Sequence, residues 1–228
     1  MLTKPATRPH CYICGSIENL TNDHLPPEGF FPPKQAHDLI TAPLCENCHR
    51  PLAKDDEVMR MWLSSHGAAS PAGKWIFKHK VVASTIARSQ KLLDNIQRFL
   101  KPLPSGAFFS IPQSRAIPFI RRLTKGLLYT LYPDYDYFPD YFTVHYHIPS
   151  GASLPTIKKL VVSLTPIQRG DGVFQVWHGL TSDTKDSGAW LYVFYNAVYF
   201  ICLHSKRQRY QQKFPEGYVE HPSLPKRL

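Results

Sequence analysis

The sequence predicts an α+β protein in which a small cysteine-stapled N-terminal module precedes a larger mixed α/β domain. Three observations predict it. Two Cys-x-x-Cys pairs, Cys11/Cys14 and Cys45/Cys48, frame a proline-rich stretch with little helical periodicity. From Asp55 the pattern turns helical, opening on three consecutive acids. Further along, several short segments alternate apolar and polar residues as strands do.

Taken in order, residues 1–54 hold Pro26, Pro27, Pro32, Pro33, Pro43 and Pro51, so loops are expected there. "DDEVMRMWLSSHG" predicts a helix that ends at Gly67. A second helix is expected from about Pro71 to Leu100, on the spacing of Ile76, Val81, Ile86, Leu93, Ile96 and Leu100. "GAFFSIP" predicts a short strand. "SRAIPFIRRLTKGLLYTLYP" predicts a helix with Pro118 in its first turns and a stop at Pro133. "YFTVHYHIP" alternates as a strand, and "SLPTIKKLVVSL" fits a short helix. "GVFQVWHGLT" and the run Trp190–His204 predict strands, the latter a hairpin turning near Asn196. The domain boundaries are thus residues 1–66, 67–204 and a polar, basic tail 205–228.

The chain has 228 residues and a net charge of +10, unevenly spread. Residues 1–66 hold six Lys/Arg against eight Asp/Glu, which leaves 21 against nine in residues 67–228. The acidic charge accompanies the cysteines, and the basic excess elsewhere suits a polyanionic partner such as nucleic acid. The longest apolar run, Trp190–Leu203, is too short for a bilayer span and is broken by Asn196, so no membrane partner is expected. Lys4, Pro5, Arg8 and Pro9 lead into no apolar segment, so no signal peptide is expected and a soluble, cytoplasmic protein is the reading.

Without a secretion signal, paired cysteine spacing favours metal over disulfides. Each Cys-x-x-Cys lets two thiolates reach one tetrahedral ion, so Cys11, Cys14, Cys45 and Cys48 are expected to close a structural Zn²⁺ site. Four thiolates leave no open position, so this zinc is not expected to be a catalyst. Cys202, inside an apolar run, reads as a core residue.

Between the pairs "LTNDHLPP" places Asp23 beside His24, and "CENCHR" places His49 directly after the fourth cysteine. On these residues the stretch "CYICGSIENLTNDHLPPEGFFPP…DLITAPLCENCHRPLAKDDE" resembles the HNH, or ββα-metal, endonuclease family. It is particularly similar to four-cysteine zinc members such as the phage endonucleases that resolve branched DNA. The resemblance covers about residues 10–57. It implies an N-terminal ββα-metal module that hydrolyses phosphodiester bonds of DNA, within a family often used in phage defence. His24 would be the general base, and Asp23 and His49 would hold a catalytic Mg²⁺ or Mn²⁺. The chemistry suits these residue types: a neutral imidazole accepts a proton near neutral pH, and a hard cation takes an oxygen ligand. One departure concerns the Asn that many HNH sequences carry before the second cysteine pair, which "DLITAPLC" lacks. A rival reading is a non-catalytic zinc module that binds nucleic acid or protein, with a decayed nuclease site.

Other candidates carry plainer readings. His10 and His37 read as ordinary residues, with His10 a minor rival for the zinc. Asp55, Asp56 and Glu57 read as an acidic helix start. Arg121, Arg122 and Lys125 share one predicted helix and either bind nucleic-acid phosphates or form a solvated face; Lys158, Lys159, Lys206, Arg207 and Arg209 add basic charge elsewhere. Dense aromatics such as "YTLYPDYDYFPDYF" read first as core. No second catalytic motif is visible, and the sequence does not choose between a protein partner, a homo-oligomer and a monomer.

Overall fold

A computed structural model describes residues 9–86, 100–103, 106–109, 113–133, 141–147, 159, 164–181 and 187–205. It is an α+β structure with a four-cysteine cluster near the N-terminus. The first unit is a hairpin of β1 (Leu20–Leu25) and β2 (Ile40–Cys45), antiparallel, with Asp23 opposite Ala42 and His24 opposite Thr41. Between the strands lie two 3₁₀ turns, Glu28–Phe30 and Pro33–Gln35, where prolines set the extended-to-turn geometry. β2 runs directly into the single turn α1 (Glu46–His49), and α2 (Leu52–Ser64) follows.

α2 starts three residues before the acidic run, because Pro51 is tolerated at a helix start. The acids are therefore not its first residues, and Asp55 and Asp56 face basic partners instead. Of the helix expected from about Pro71 to Leu100, residues 71–86 are described and are helical throughout, α-helical over α3 (Pro71–Ile76), capped by the Ser70 hydroxyl, and π-helical over Phe77–Ile86, while residues 87–99 lie outside the described residues. Leu100 belongs to β3 (Leu100–Leu103), which pairs with β4 (Gly106–Phe109). Local apolar spacing carried the helix reading past the point where strand pairing takes over.

α4 (Gln113–Leu131) matches the predicted third helix, with Pro118 exposed in its second turn. It packs on a five-stranded antiparallel sheet of order β5-β9-β8-β7-β6, formed by β5 (Tyr141–His147), β6 (Thr165–Arg169), β7 (Phe174–Leu180), β8 (Ser187–Phe194) and β9 (Val198–Ser205). β8 and β9 form the expected hairpin, with Tyr195 and Asn196 at positive φ in its turn. Alternation sends Phe174, Val176, Trp190, Tyr192, Phe200 and Cys202 into the main core. Leu191 and Val193 join a smaller cluster with Trp177, Tyr199 and Ile201. The main core is continuous from Cys11 and Leu25 through Leu127 to Cys202, so hairpin, helices and sheet share one apolar interior. The expected helix over residues 153–164 and the tail beyond Ser205 lie almost wholly outside the described residues, as do Lys158, Lys206, Arg207 and Arg209. Among the described residues no helix is long and apolar enough to cross a membrane.

Candidate metal centre and its surroundings

The first knuckle is a tight turn in which Gly15 N–H bonds the Cys11 carbonyl at 2.8 Å and Cys11 N–H bonds Ser16 at 2.7 Å. Gly15 has φ +78°, a conformation that glycine adopts without a Cβ clash. Tyr12 N–H bonds the Pro43 carbonyl at 3.0 Å and Glu46 N–H bonds the Asn19 carbonyl at 3.1 Å, so the knuckles are pinned to the base of the hairpin. The sulfurs of Cys11, Cys14, Cys45 and Cys48 all lie within 4.8 Å of one another, and the Cys14 and Cys45 sulfurs are 3.6 Å apart. A tetrahedron with metal–sulfur bonds of about 2.3 Å has edges of roughly 3.8 Å, so the set fits zinc. The separation is far beyond the ~2.05 Å of a disulfide, and all four thiols are free. Burial raises the Cys11 thiol, but backbone hydrogen bonds at Cys45, Cys14 and Ile13 outweigh it and bring it down to about 7. Burial raises the Cys14 and Cys48 thiols instead, so in the absence of an ion the four do not ionise together.

Above this staple, β1 sets its two chemical residues on opposite faces. Asp23 is buried and projects to the inner face with Leu25, while His24 is half-buried on the other. Asp23 Oδ2 accepts a 2.5 Å hydrogen bond from the Tyr12 hydroxyl. His49, exposed at the end of α1, brings Nδ1 to 3.4 Å from Thr21 Oγ1 on β1. That hydroxyl donates its one proton to the Leu44 carbonyl at 3.0 Å. With that proton committed, Oγ1 can only accept from Nδ1, the tautomer in which Nε2 carries the lone pair. Thr21 and Asp23 are two residues apart, so His49 meets β1 on the side to which Asp23 projects. Asp23, His24 and His49 do not form a three-ligand cluster; among the described residues the four cysteines form the one group of that kind. His10 stacks edge-on against Tyr129, and His37 is exposed.

No family model, curated protein or solved structure matches this chain.

The basic helix departs from the expectation. Arg122 is 5% exposed and pairs with Asp56 through both carboxylate oxygens, Nη1 to Oδ2 at 3.1 Å and Nη2 to Oδ1 at 2.5 Å. It belongs neither to a phosphate-binding surface nor to a solvated face. Arg121 and Lys125, four residues apart, both lean on the Phe142 ring, and Arg121 also donates to the Phe142 carbonyl at 3.2 Å. Arg115 pairs with Asp55. Sequence reading missed this acid–base seam between α2 and α4 because its partners are about sixty residues apart. Burial works against the charge on Arg122, but Asp56, then Asp23 and Tyr12, outweigh it and hold the guanidinium above its ordinary value. Burial likewise raises the Asp56 carboxyl, with Arg122 opposing and Asp23 adding to the rise.

Proposed function

We propose that residues 10–57 form an HNH-type nuclease site that hydrolyses a phosphodiester bond of nucleic acid, with DNA as the substrate class. The supporting observation is the order strand, strand, helix on a four-cysteine staple, with His49 held beside the strand that carries Asp23 and His24. In this reading His24 takes the proton of the attacking water, since an imidazole is the side chain suited to that task near neutral pH. Asp23 offers a carboxylate oxygen, and His49 its Nε2, to Mg²⁺ or Mn²⁺. When bound, that ion supplies charge stabilisation to the phosphoryl oxygens and to the leaving 3′ oxygen. The excess of basic residues beyond residue 66 favours a polyanionic substrate.

A second reading is favoured by one observation: Asp23 is buried and already engaged by Tyr12. In it Asp23 is a structural hub, and the module binds nucleic acid or protein without cutting. The variant pattern separates the two. In the nuclease reading His24→Ala abolishes cleavage and leaves Mn²⁺ binding intact, Asp23→Ala loses both, and His49→Asn retains more activity than His49→Ala. In the binding reading none of these variants changes a divalent-ion affinity.

A further inference from the structure

α4 does not display the basic excess found beyond residue 66: Arg122 is buried, and Arg121 and Lys125 lean on Phe142. A long acid-free stretch lies elsewhere. Residues 58–93 hold six Lys/Arg and no Asp or Glu. Its described part is the end of α2, then α3 and the π-helical segment Phe77–Ile86.

Contacts fix which side of α3 and its π-helical continuation is open. Ala72, Gly73, Ile76 and Val81 are buried, and a Cβ on Gly73 would collide with the Tyr195 ring. At one edge Lys80 Nζ donates to the Phe31 carbonyl at 3.0 Å and the Gly29 carbonyl at 3.4 Å, which secures the segment to the turn that follows β1. The remaining side carries Lys74, Lys78 and His79, all exposed. Lys74 and Lys78 are four residues apart and share one side. Beside them the Trp75 and His79 rings stack with centroids 4.7 Å apart. Among the described residues no ion pair engages Lys74 or Lys78.

Two unneutralised ammonium groups on an acid-free face attract a polyanion. They lie about 6 Å apart along the helix, close to two phosphate steps on one strand of a DNA duplex. A lipid surface fits less well. Trp75 and Phe77 pack against the core, and among the described residues Val82 is the large apolar side chain that this element exposes. A helix that lies on a membrane needs a broad apolar face as well as charge. The location also suits a nuclease, because Gly29 is five residues from His24, at most about 18 Å of chain.

We infer that Lys74 and Lys78 hold the phosphate backbone of DNA, laying it across α3 toward the turn that follows His24. The direction of the strand rests on the nuclease reading; the binding does not. Phosphate contacts position a duplex and carry no sequence information, so this surface binds DNA of any sequence.

The experiment is fluorescence anisotropy of labelled DNA duplexes with the zinc-loaded full chain, in a salt series without added Mg²⁺ or Mn²⁺, so that no strand is cut. Lys74→Gln together with Lys78→Gln is compared with Lys54→Gln together with Lys159→Gln, which removes the same charge from exposed positions outside this element. Zinc content and thermal melting report folding. The first pair should bind every duplex more weakly, and its slope of log affinity against log salt should fall by about two, one for each lysine. The second pair should keep the parent slope. Equal losses in the two pairs, or the parent slope in the first, would overturn the inference. Binding of the parent to phosphatidylserine vesicles and not to DNA would overturn it in favour of a lipid surface. Plasmid nicking with Mn²⁺ is scored separately. A parent that nicks, beside a first pair that binds DNA as the parent does, sinks this inference and leaves the nuclease reading. A parent that binds DNA through Lys74 and Lys78 but never nicks supports this surface and sinks the nuclease reading.

Discussion

The Tyr12 hydroxyl donates to Asp23 Oδ2 at 2.5 Å, joining the residue after the first knuckle cysteine to the strand that carries the candidate chemistry. Tyr12 is fully buried and Asp23 is 4% exposed, so water cannot replace the bond. Burial first, and then the neighbouring Asp23, push the Tyr12 hydroxyl far above its ordinary value, so it remains a donor. Tyr12→Phe should cost about 1.5–3 kcal/mol, the usual worth of a hydrogen bond to a charged group. Urea denaturation of the two proteins measures it. A cost under ~0.5 kcal/mol would mean that Asp23 finds another donor.

The Asp56–Arg122 pair predicts a strong asymmetry. Asp56→Ala leaves a guanidinium 5% exposed without its partner and should destabilise by roughly 3–5 kcal/mol. Asp56→Leu combined with Arg122→Met should recover most of that loss. Equal losses in the single and double variants would show that the pair has a net stabilising worth which apolar packing cannot replace.

Zinc should appear at about one ion per chain, on the strength of four sulfurs mutually within 4.8 Å. Cys45 caps the end of β2 and belongs to the buried core, so Cys45→Ser should lose the ion and melt the hairpin together. Elemental analysis beside circular dichroism checks both. A folded protein free of zinc would remove the staple from this account.

Stability should also depend on pH through His204. Its Nδ1 accepts from Trp190 Nε1 at 2.9 Å, which keeps the ring neutral, and burial lowers it to about 4 from an ordinary 6.5. The folded value lies below the unfolded one, so the contribution is complete above pH 6.5 and is lost as the pH falls toward 4. The gap corresponds to roughly 3 kcal/mol. The difference in unfolding free energy between the parent and His204→Gln, followed from pH 7 to pH 4, should shrink by about that amount. A difference constant with pH would mean that His204 protonates as readily folded as unfolded.

Much of this architecture was legible in the sequence because it rests on local signals. Cysteine spacing pointed to the four-cysteine cluster, alternation with Asn196 at a turn to the β8–β9 hairpin, and the acids before an apolar run to α2 within three residues of its start. What stayed hidden depends on long-range packing. Arg122 reads as one more cation on a basic helix, and only the packing of α4 against α2 buries it and pairs it with Asp56. Leu100 continues a helical spacing until Phe109 pairs with it across a strand. Likewise, nothing in the sequence distinguishes the surroundings of adjacent Asp23 and His24, whereas the strand buries Asp23 and leaves His24 half-buried on its other face.

The most direct test of the central claim is nicking of supercoiled plasmid by the zinc-loaded protein with Mg²⁺ or Mn²⁺, beside His24→Ala. The account predicts that the parent converts supercoiled to open-circular DNA only when the divalent ion is present, and that folded, zinc-loaded His24→Ala loses at least about a hundredfold in rate, the low end of what a general base contributes. Cutting by His24→Ala at the parent rate, or a parent that cuts neither DNA nor RNA with either ion, would contradict it.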